Sequence, residues 1–282
     1  MTGSLSAPYL NIADITFFFL AENDRQRGVI SEYLEDSESP ANKYIYRIYL
    51  TQRDAFFNLP LNYEPTYEHS YYYRSVGRAH CLWGPQFFGY IDPSLQIGRL
   101  FLGPENHPFI EPYLRFCSAW ALLSQNGFIF HSAGLAVDGR GLLFPARSES
   151  GKSTIVDLSV GLANSLCDEM NVARRKHSGW HVWGTPFWGS AVNQGRTSGG
   201  FPLKAIIFPH RDNEFWLKEC KRPQTIEGLL NNILLFGHSS EVGKKAFDLA
   251  CELSEAVPAY DFGFACNKQL IPYLKENLVN KV

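Results

Sequence analysis

Gly151-Lys152-Ser153-Thr154 stands between an apolar run, Gly141-Leu142-Leu143-Phe144-Pro145, and a stretch without early helix breakers, Ile155-Val156-Asp157-Leu158. That order predicts a strand, a tight turn and the opening of a helix. A turn of this kind aims backbone N–H groups, and the positive end of a helix, at an anion. Lys152 would neutralise the terminal phosphates of a nucleotide, and Ser153 would offer its hydroxyl to the accompanying Mg2+. Ala146, Arg147, Ser148, Glu149, Ser150, Gly151, Lys152, Ser153 and Thr154 therefore form the candidate nucleotide cradle. The alternative is an ordinary strand-to-helix turn with an exposed lysine, and the agreement of three cues weighs against it. Ala146 stands where the usual pattern has its first glycine. Glu149 brings a carboxylate that repels polyphosphate unless it faces away. Weaker binding than that of a glycine-only loop is expected.

Such a cradle needs an acidic partner on a neighbouring strand. Asp168-Glu169 ends the run Leu166-Cys167, sixteen residues beyond Lys152, which leaves room for one helix between them. One carboxylate could hold the metal and the other could act as a base toward an attacking hydroxyl. Capping of the next element is the plainer use of two adjacent acids. His131 closes the run Phe128-Ile129-Phe130 just before a Ser132-Ala133-Gly134 turn. A histidine there is commonly a satisfied core residue, but its place one strand pair upstream of the loop turns it toward the transferred phosphate.

The elements that must position these groups alternate in type. A helix is predicted from Glu111 to Leu123, ended by Asn126-Gly127. Strands are predicted at Phe128–Ser132, Ala133–Val137, Gly141–Phe144, near Leu166-Cys167, at Trp180–Trp183 and at Lys204–Phe208. Helical patterns cover Thr225–Leu235, Glu241–Glu255 and Lys268–Leu278, the last interrupted by Pro272. Interleaving of this kind indicates an α/β fold, and hairpin turns such as Asp138-Gly139 imply a mixed sheet. Twelve of the 14 tyrosines fall in the first 113 positions, among β-prone runs at Ile15–Leu20, Tyr44–Leu50, Tyr67–Tyr73 and His80–Trp83. A β-rich aromatic N-terminal domain follows, with a boundary near Gly103-Pro104-Glu105-Asn106. Its aromatic face is either sheet packing or a peptide-binding surface.

Composition narrows the classes. The chain has 282 residues, 45% hydrophobic and 19% charged, with a formal net charge of −2. It carries no overall basic footprint for nucleic acid or an anionic membrane. The cluster Arg174-Arg175-Lys176-His177 reads as a solvated strand end. Six scattered cysteines without a Cys-x-x-Cys pair argue for free thiols and against zinc. The apolar run Ile15–Ala21 is too short to span a bilayer, and no Lys or Arg precedes it, so a cytoplasmic protein is expected.

The order Phe130-His131-Ser132-Ala133-Gly134, then Gly141-Leu142-Leu143-Phe144 with Gly151-Lys152-Ser153-Thr154, then Cys167-Asp168-Glu169, resembles the HPr kinase/phosphorylase family. That family is related in fold to the phosphoenolpyruvate carboxykinases. Gly184-Thr185-Pro186-Phe187-Trp188-Gly189 and Pro202-Leu203-Lys204-Ala205-Ile206-Ile207-Phe208 extend the likeness, which spans roughly residues 110–265. The resemblance implies a P-loop-containing mixed-sheet kinase domain of HPr-kinase/phosphoenolpyruvate-carboxykinase type over residues 105–282, behind the β-rich domain at 1–104. It also implies ATP with Mg2+ and transfer of phosphate to a serine-type hydroxyl. His131 would lie near the phosphates, Lys152 and Ser153 would bind phosphate and metal, and Asp168 would serve the metal. Glu169 would receive the acceptor proton, where bifunctional HPr enzymes carry Asp. Nothing here matches the Arg-Pro-Gly-Arg-Asn-like segment of true HPr enzymes, so another protein, a peptide or a small molecule is the expected acceptor. A non-catalytic nucleotide-binding regulator or scaffold, working as a peptide-binding partner in a peptide-modification system, is the alternative. Oligomeric state stays open.

Overall fold

The computed structural model describes residues 9–31, 33, 44–52, 71–84, 87–103, 110–189, 197, 199–237 and 239–281. It is a mixed α/β protein that divides into two compact, sheet-rich units, Met1–Ser124 and Gln125–Val282. The predicted strand at Tyr67–Tyr73 lies partly outside the described residues; its visible counterpart is Tyr72–Val76.

The first unit holds a seven-stranded sheet. Its strands are β1 (Tyr9–Ile12), β2 (Ile15–Ala21), β3 (Tyr44–Gln52), β4 (Tyr72–Val76), β5 (Ala79–Gly84), β6 (Phe87–Asp92) and β7 (Ile97–Leu102), in the order β1-β2-β3-β7-β6-β5-β4, with helix α1 (Asp24–Ser31) between β2 and β3 in the chain. One face buries Phe17, Phe19, Tyr46, Ile48, Leu50, Leu82, Phe87, Ile91 and Leu100. Helix α2 (Ile110–Ser124) packs on that face through Tyr113, whose hydroxyl donates to the Tyr90 carbonyl at 2.8 Å. The helix thus belongs with the first unit, which ends at Ser124; the expected boundary at 104/105 lies outside the described residues. Alternate residues on the other face make a half-buried aromatic row. Tyr72–Trp83, Trp83–Phe88 and Phe88–Phe101 have centroids 5.5, 4.8 and 5.9 Å apart.

In the second unit, β8 (Gly127–Val137) pairs antiparallel with β9 (Arg140–Pro145) through the predicted turn. Asp138 and Gly139 both take positive φ there, 48° and 75°, as a tight hairpin requires. The expected break at Ser132-Ala133-Gly134 is absent, and β8 runs straight through as one strand of 11 residues. Its first half pairs with β11 (Met170–Lys176), and its second half pairs with β9 and with β10 (Asn164–Cys167). The small residues serve packing: a Cβ at Gly134 would collide with the Asn171 side chain. β11 continues to β12 (Gly179–Gly184) and β13 (Phe201–Arg211), and β13 returns parallel to β9, closing a ring of pairings. β13 also pairs parallel with β15 (Ala259–Phe264), whose other edge takes β14 (Trp216–Glu219).

Helix α3 (Lys152–Ser159) covers this sheet with α6 (Leu270–Leu274) and the π-helical turn Lys275–Val279. Together they bury Leu135, Phe144, Ile155, Val156, Ile207, Phe262 and Phe264. Pro272 falls in the first turn of α6, where its missing N–H costs nothing, so it opens that helix rather than interrupting it. Helices α4 (Arg222–Leu230) and α5 (Ser240–Ala256) pack against each other. Among the described residues no helix is long and apolar enough to cross a membrane.

Candidate functional site

Strand register brings the candidate residues to one place. Ser132 lies opposite Pro145, the last residue before the 146–154 loop, and His131 lies opposite Met170, the first residue after Asp168-Glu169. Main-chain bonds fix the junction: Ala146 N donates to the His131 carbonyl at 3.1 Å, and Ser132 N donates to the Glu169 carbonyl at 3.0 Å. The middle of β8 is thus the point from which loop, histidine and acidic pair all diverge.

The loop turns into α3 at Gly151, whose φ of 97° and ψ of 15° lie in the left-handed region. A Cβ there would stand 2.7 Å from Phe264 Cζ and 3.3 Å from Arg211 Nε, so glycine is required both by conformation and by space. Glu149 also takes a positive φ, 65°, and its side chain is exposed. Ser150 Oγ is buried and has no hydrogen-bond partner among the described residues. The first N–H groups of a helix lack intrahelical acceptors, so this turn presents donors and positive potential together.

Lys152 is buried at 5% exposure, against the alternative of an exposed turn lysine. Its Nζ donates to the carbonyls of Ala146 and Arg147 at 2.9 and 2.8 Å, so the ammonium lies inside its own loop. Burial holds its pKa below the ordinary lysine range, while the carboxylates of Glu169 and Asp168 push the other way. Both carboxylates thus act on the lysine's charge. Ser153 and Thr154, both half-buried, occupy the first turn of α3.

The acidic pair sits on a turn clamped from several sides. Met170 N donates to Cys167 Sγ at 3.4 Å, and Asn171 Nδ2 donates to the carbonyls of Cys167 at 3.0 Å and Ser132 at 2.7 Å. Thr185 Oγ1 donates to the Met170 carbonyl at 2.7 Å, and Cys167 Sγ donates to the Phe187 carbonyl at 3.4 Å. These bonds fasten the 185–189 segment over the turn. Asp168 is almost wholly buried, and its Oδ1 accepts from Gly189 N at 2.9 Å. A Cβ at Gly189 would lie 3.0 Å from Asp168 Oδ2 and 3.2 Å from Glu169 Oε2, so this glycine lets backbone cover both carboxylates. Glu169 stays partly open, with its Oε1 3.5 Å from His131 Nε2 and side-chain exposures of 31% and 26%. A carboxylate beside an accessible imidazole can accept a proton and share the resulting charge.

Among the described residues, no three His, Cys, Asp and Glu side chains gather closely enough to hold a metal by themselves. Magnesium carried on phosphates keeps most of its oxygens from phosphate and water and takes one or two ligands from protein. A serine hydroxyl at the helix start and a buried carboxylate suit that demand, so Ser153 and Asp168 fit a nucleotide-borne ion better than a resident one. A cleft of about 440 Å3 between Asp138-Gly139 and Gly161–Asn164 lies at the other end of α3, away from this chemistry.

Arg211 is the residue at this site that sequence reasoning missed. It ends β13, and its Nη2 donates to Thr154 Oγ1 at 3.1 Å. A basic residue at the carboxyl end of a strand parallel to the loop strand is the signal that could have found it. Asn171 was also missed, and Gly189 was noted only within a resembling stretch, since their roles depend on contacts far apart in sequence. No protein-family model matches this chain, and no curated protein matches it.

Proposed function

We propose that residues 125–282 bind ATP with Mg2+ and transfer its γ-phosphoryl group to a serine-type hydroxyl of a protein, peptide or small-molecule acceptor. In this reading the unit is a P-loop kinase domain of HPr-kinase/phosphoenolpyruvate-carboxykinase type. The observation that carries it is the buried Lys152, held in the turn after a strand and electrostatically coupled to Glu169 and Asp168. A lysine that only decorated a turn would be solvated, whereas Lys152 is 5% exposed.

Bound nucleotide supplies the phosphoryl group and the metal charge. Lys152 exchanges the Ala146 and Arg147 carbonyls for phosphate oxygens and offsets their charge, and the backbone amides of the turn orient them. Ser153 and Asp168 would hold the metal ion, which would offset the charge that develops on the phosphates. Glu169, positioned by His131, takes the proton that the acceptor hydroxyl gives up as its oxygen bonds to phosphorus and the bond from phosphorus to the ADP oxygen breaks. Covering of the carboxylates by the 185–189 segment keeps bulk water from competing as acceptor.

The test is incubation of the full chain with ATP and Mg2+, scored by ADP release and by phosphate labelling of serine-bearing acceptors. Turnover lost in Asp168→Asn and Glu169→Gln supports the proposal. Nucleotide-induced thermal stabilisation without hydrolysis or labelling would overturn it. That second outcome would establish a non-catalytic nucleotide-binding regulator, a reading favoured by Gly189 N occupying Asp168 Oδ1.

A further inference from the structure

Arg211 stands where an arginine is electrostatically unwelcome. Its guanidinium reaches the first turn of α3, bonded to Thr154 Oγ1 at 3.1 Å, and its Nε flanks the Cβ-less face of Gly151. Helix N-termini favour anions, and cations belong at the opposite end. Lys152 already adds positive charge to this turn. Among the described residues no carboxylate pairs with Arg211; the adjacent Asp212 instead accepts from Trp216 Nε1 at 2.6 Å. Two cationic side chains therefore converge on a helix start, and while Glu169 and Asp168 act on Lys152, Arg211 has no carboxylate of its own among the described residues. Arg211 is also exposed, so the guanidinium is free to swing, whereas Lys152 is enclosed.

Strand topology gives this placement a purpose. β9, β13 and β15 run parallel, and the loop, Arg211 and Phe264 all stand at their carboxyl ends, the end at which α/β sheets bind ligands. Phe264 floors the turn beneath Gly151, and Arg211 walls it on the β13 side.

We infer that Arg211 is a second phosphate-binding cation of the site, a residue that gives it selectivity for the polyphosphate tail over the nucleoside. This rests on the nucleotide-binding reading above. A guanidinium that can contact two phosphate oxygens at once counts the charge of the tail, so ATP and inorganic tripolyphosphate gain from it and AMP gains little. Thr154 holds the side chain at the rim when the site is empty and releases it to an anion.

Calorimetric titration of the full chain with ATP, tripolyphosphate and AMP tests this in wild type, Arg211→Gln, Arg211→Lys and Lys152→Met. Arg211→Gln should weaken ATP and tripolyphosphate about ten- to a hundredfold and AMP less than twofold. Arg211→Lys, which keeps charge without the fork, should recover part of the loss and guards against a folding artefact in the glutamine variant. Equal losses for AMP and ATP, or unchanged tripolyphosphate affinity, would overturn the inference. If Lys152→Met weakens ATP while Arg211→Gln does not, only the role of Arg211 fails. If wild type binds none of the three, the reading of the site itself fails with it.

Discussion

Replacing Gly151 by alanine tests the geometry on which the site depends. At φ 97° an L-residue pays a left-handed penalty of about 1–2 kcal/mol. The new methyl would also stand 2.7 Å from Phe264 Cζ. Phe264 cannot swing aside freely, because it is fully buried and stacked on Phe262 with centroids 5.9 Å apart, and Phe262 in turn stacks on Tyr273. Overpacking of that kind costs about 1–3 kcal/mol. The stiffer unfolded chain gives back about 0.4–1 kcal/mol. The net loss is about 2–4 kcal/mol, or a fall of roughly 5–15 °C in melting temperature for a unit of this size. Gly161→Ala is the internal comparison, since Gly161 also has positive φ, 76°, but none of the described residues comes within 4 Å of its would-be Cβ. It should lose only about 1 kcal/mol. Scanning calorimetry of the full chain would measure both, with hydrogen exchange on peptides from the 141–165 region assigning the transition. Equal shifts for the two variants would refute the contact with Phe264, and no shift at Gly151 would refute the left-handed turn.

Gly189→Ala should press a methyl toward Asp168 Oδ2 and Glu169 Oε2; phosphoryl-transfer rate and its magnesium dependence should drop about tenfold, with stability changed by less than about 2 kcal/mol. Glu149→Gly removes a carboxylate from the loop and relieves its φ of 65°, so ATP should bind several-fold more tightly and urea stability should stay within about 1 kcal/mol of wild type. In the first unit, His80 is stacked on Trp120 at 3.3 Å, and burial lowers its pKa from 6.5 to about 4 against the opposing pull of Asp92. Between those values the unfolded chain takes up a proton that the folded chain refuses, so stability falls as pH drops below 6.5 and levels off near 4. The loss, reduced for the half-exposed ring, should be about 1–2 kcal/mol in urea titrations, and His80→Gln should flatten it.

What was legible in the chain was local. The strand, turn and helix around Lys152, the acidic strand end at Cys167 and the Asp138-Gly139 hairpin all arise from neighbours in sequence. Long-range contacts hid the rest. β6 and β7 were not foreseen, and Gly89 and Gly98 interrupt the apolar alternation of their sequences. They are glycine because Tyr113 of α2 lies against them: a Cβ at Gly89 would collide with its ring, and one at Gly98 would stand 2.7 Å from its hydroxyl. β11 was legible only at its end, and there Arg174 is buried rather than solvated; Asn171 and Arg174 are polar residues at positions where an apolar alternation would have shown the rest of the strand. Their amide and guanidinium groups donate to main-chain carbonyls of Ser132, Cys167 and Gln125, partners that only the fold supplies. Ser132-Ala133-Gly134 misled for the same reason, since small residues there accommodate Asn171 rather than reverse the chain.

Equilibrium titration of the full chain with ATP, with and without Mg2+, in wild type, Lys152→Ala and Lys152→Met, reaches the central claim most directly. Lys152→Met keeps the aliphatic stem that fills the loop and removes only the charge. Wild type should bind ATP more tightly with Mg2+ than without, and both variants should lose at least about tenfold, the worth of one or two charge-assisted contacts. Affinity unchanged by loss of the ammonium would place the nucleotide elsewhere or nowhere, and would contradict the account.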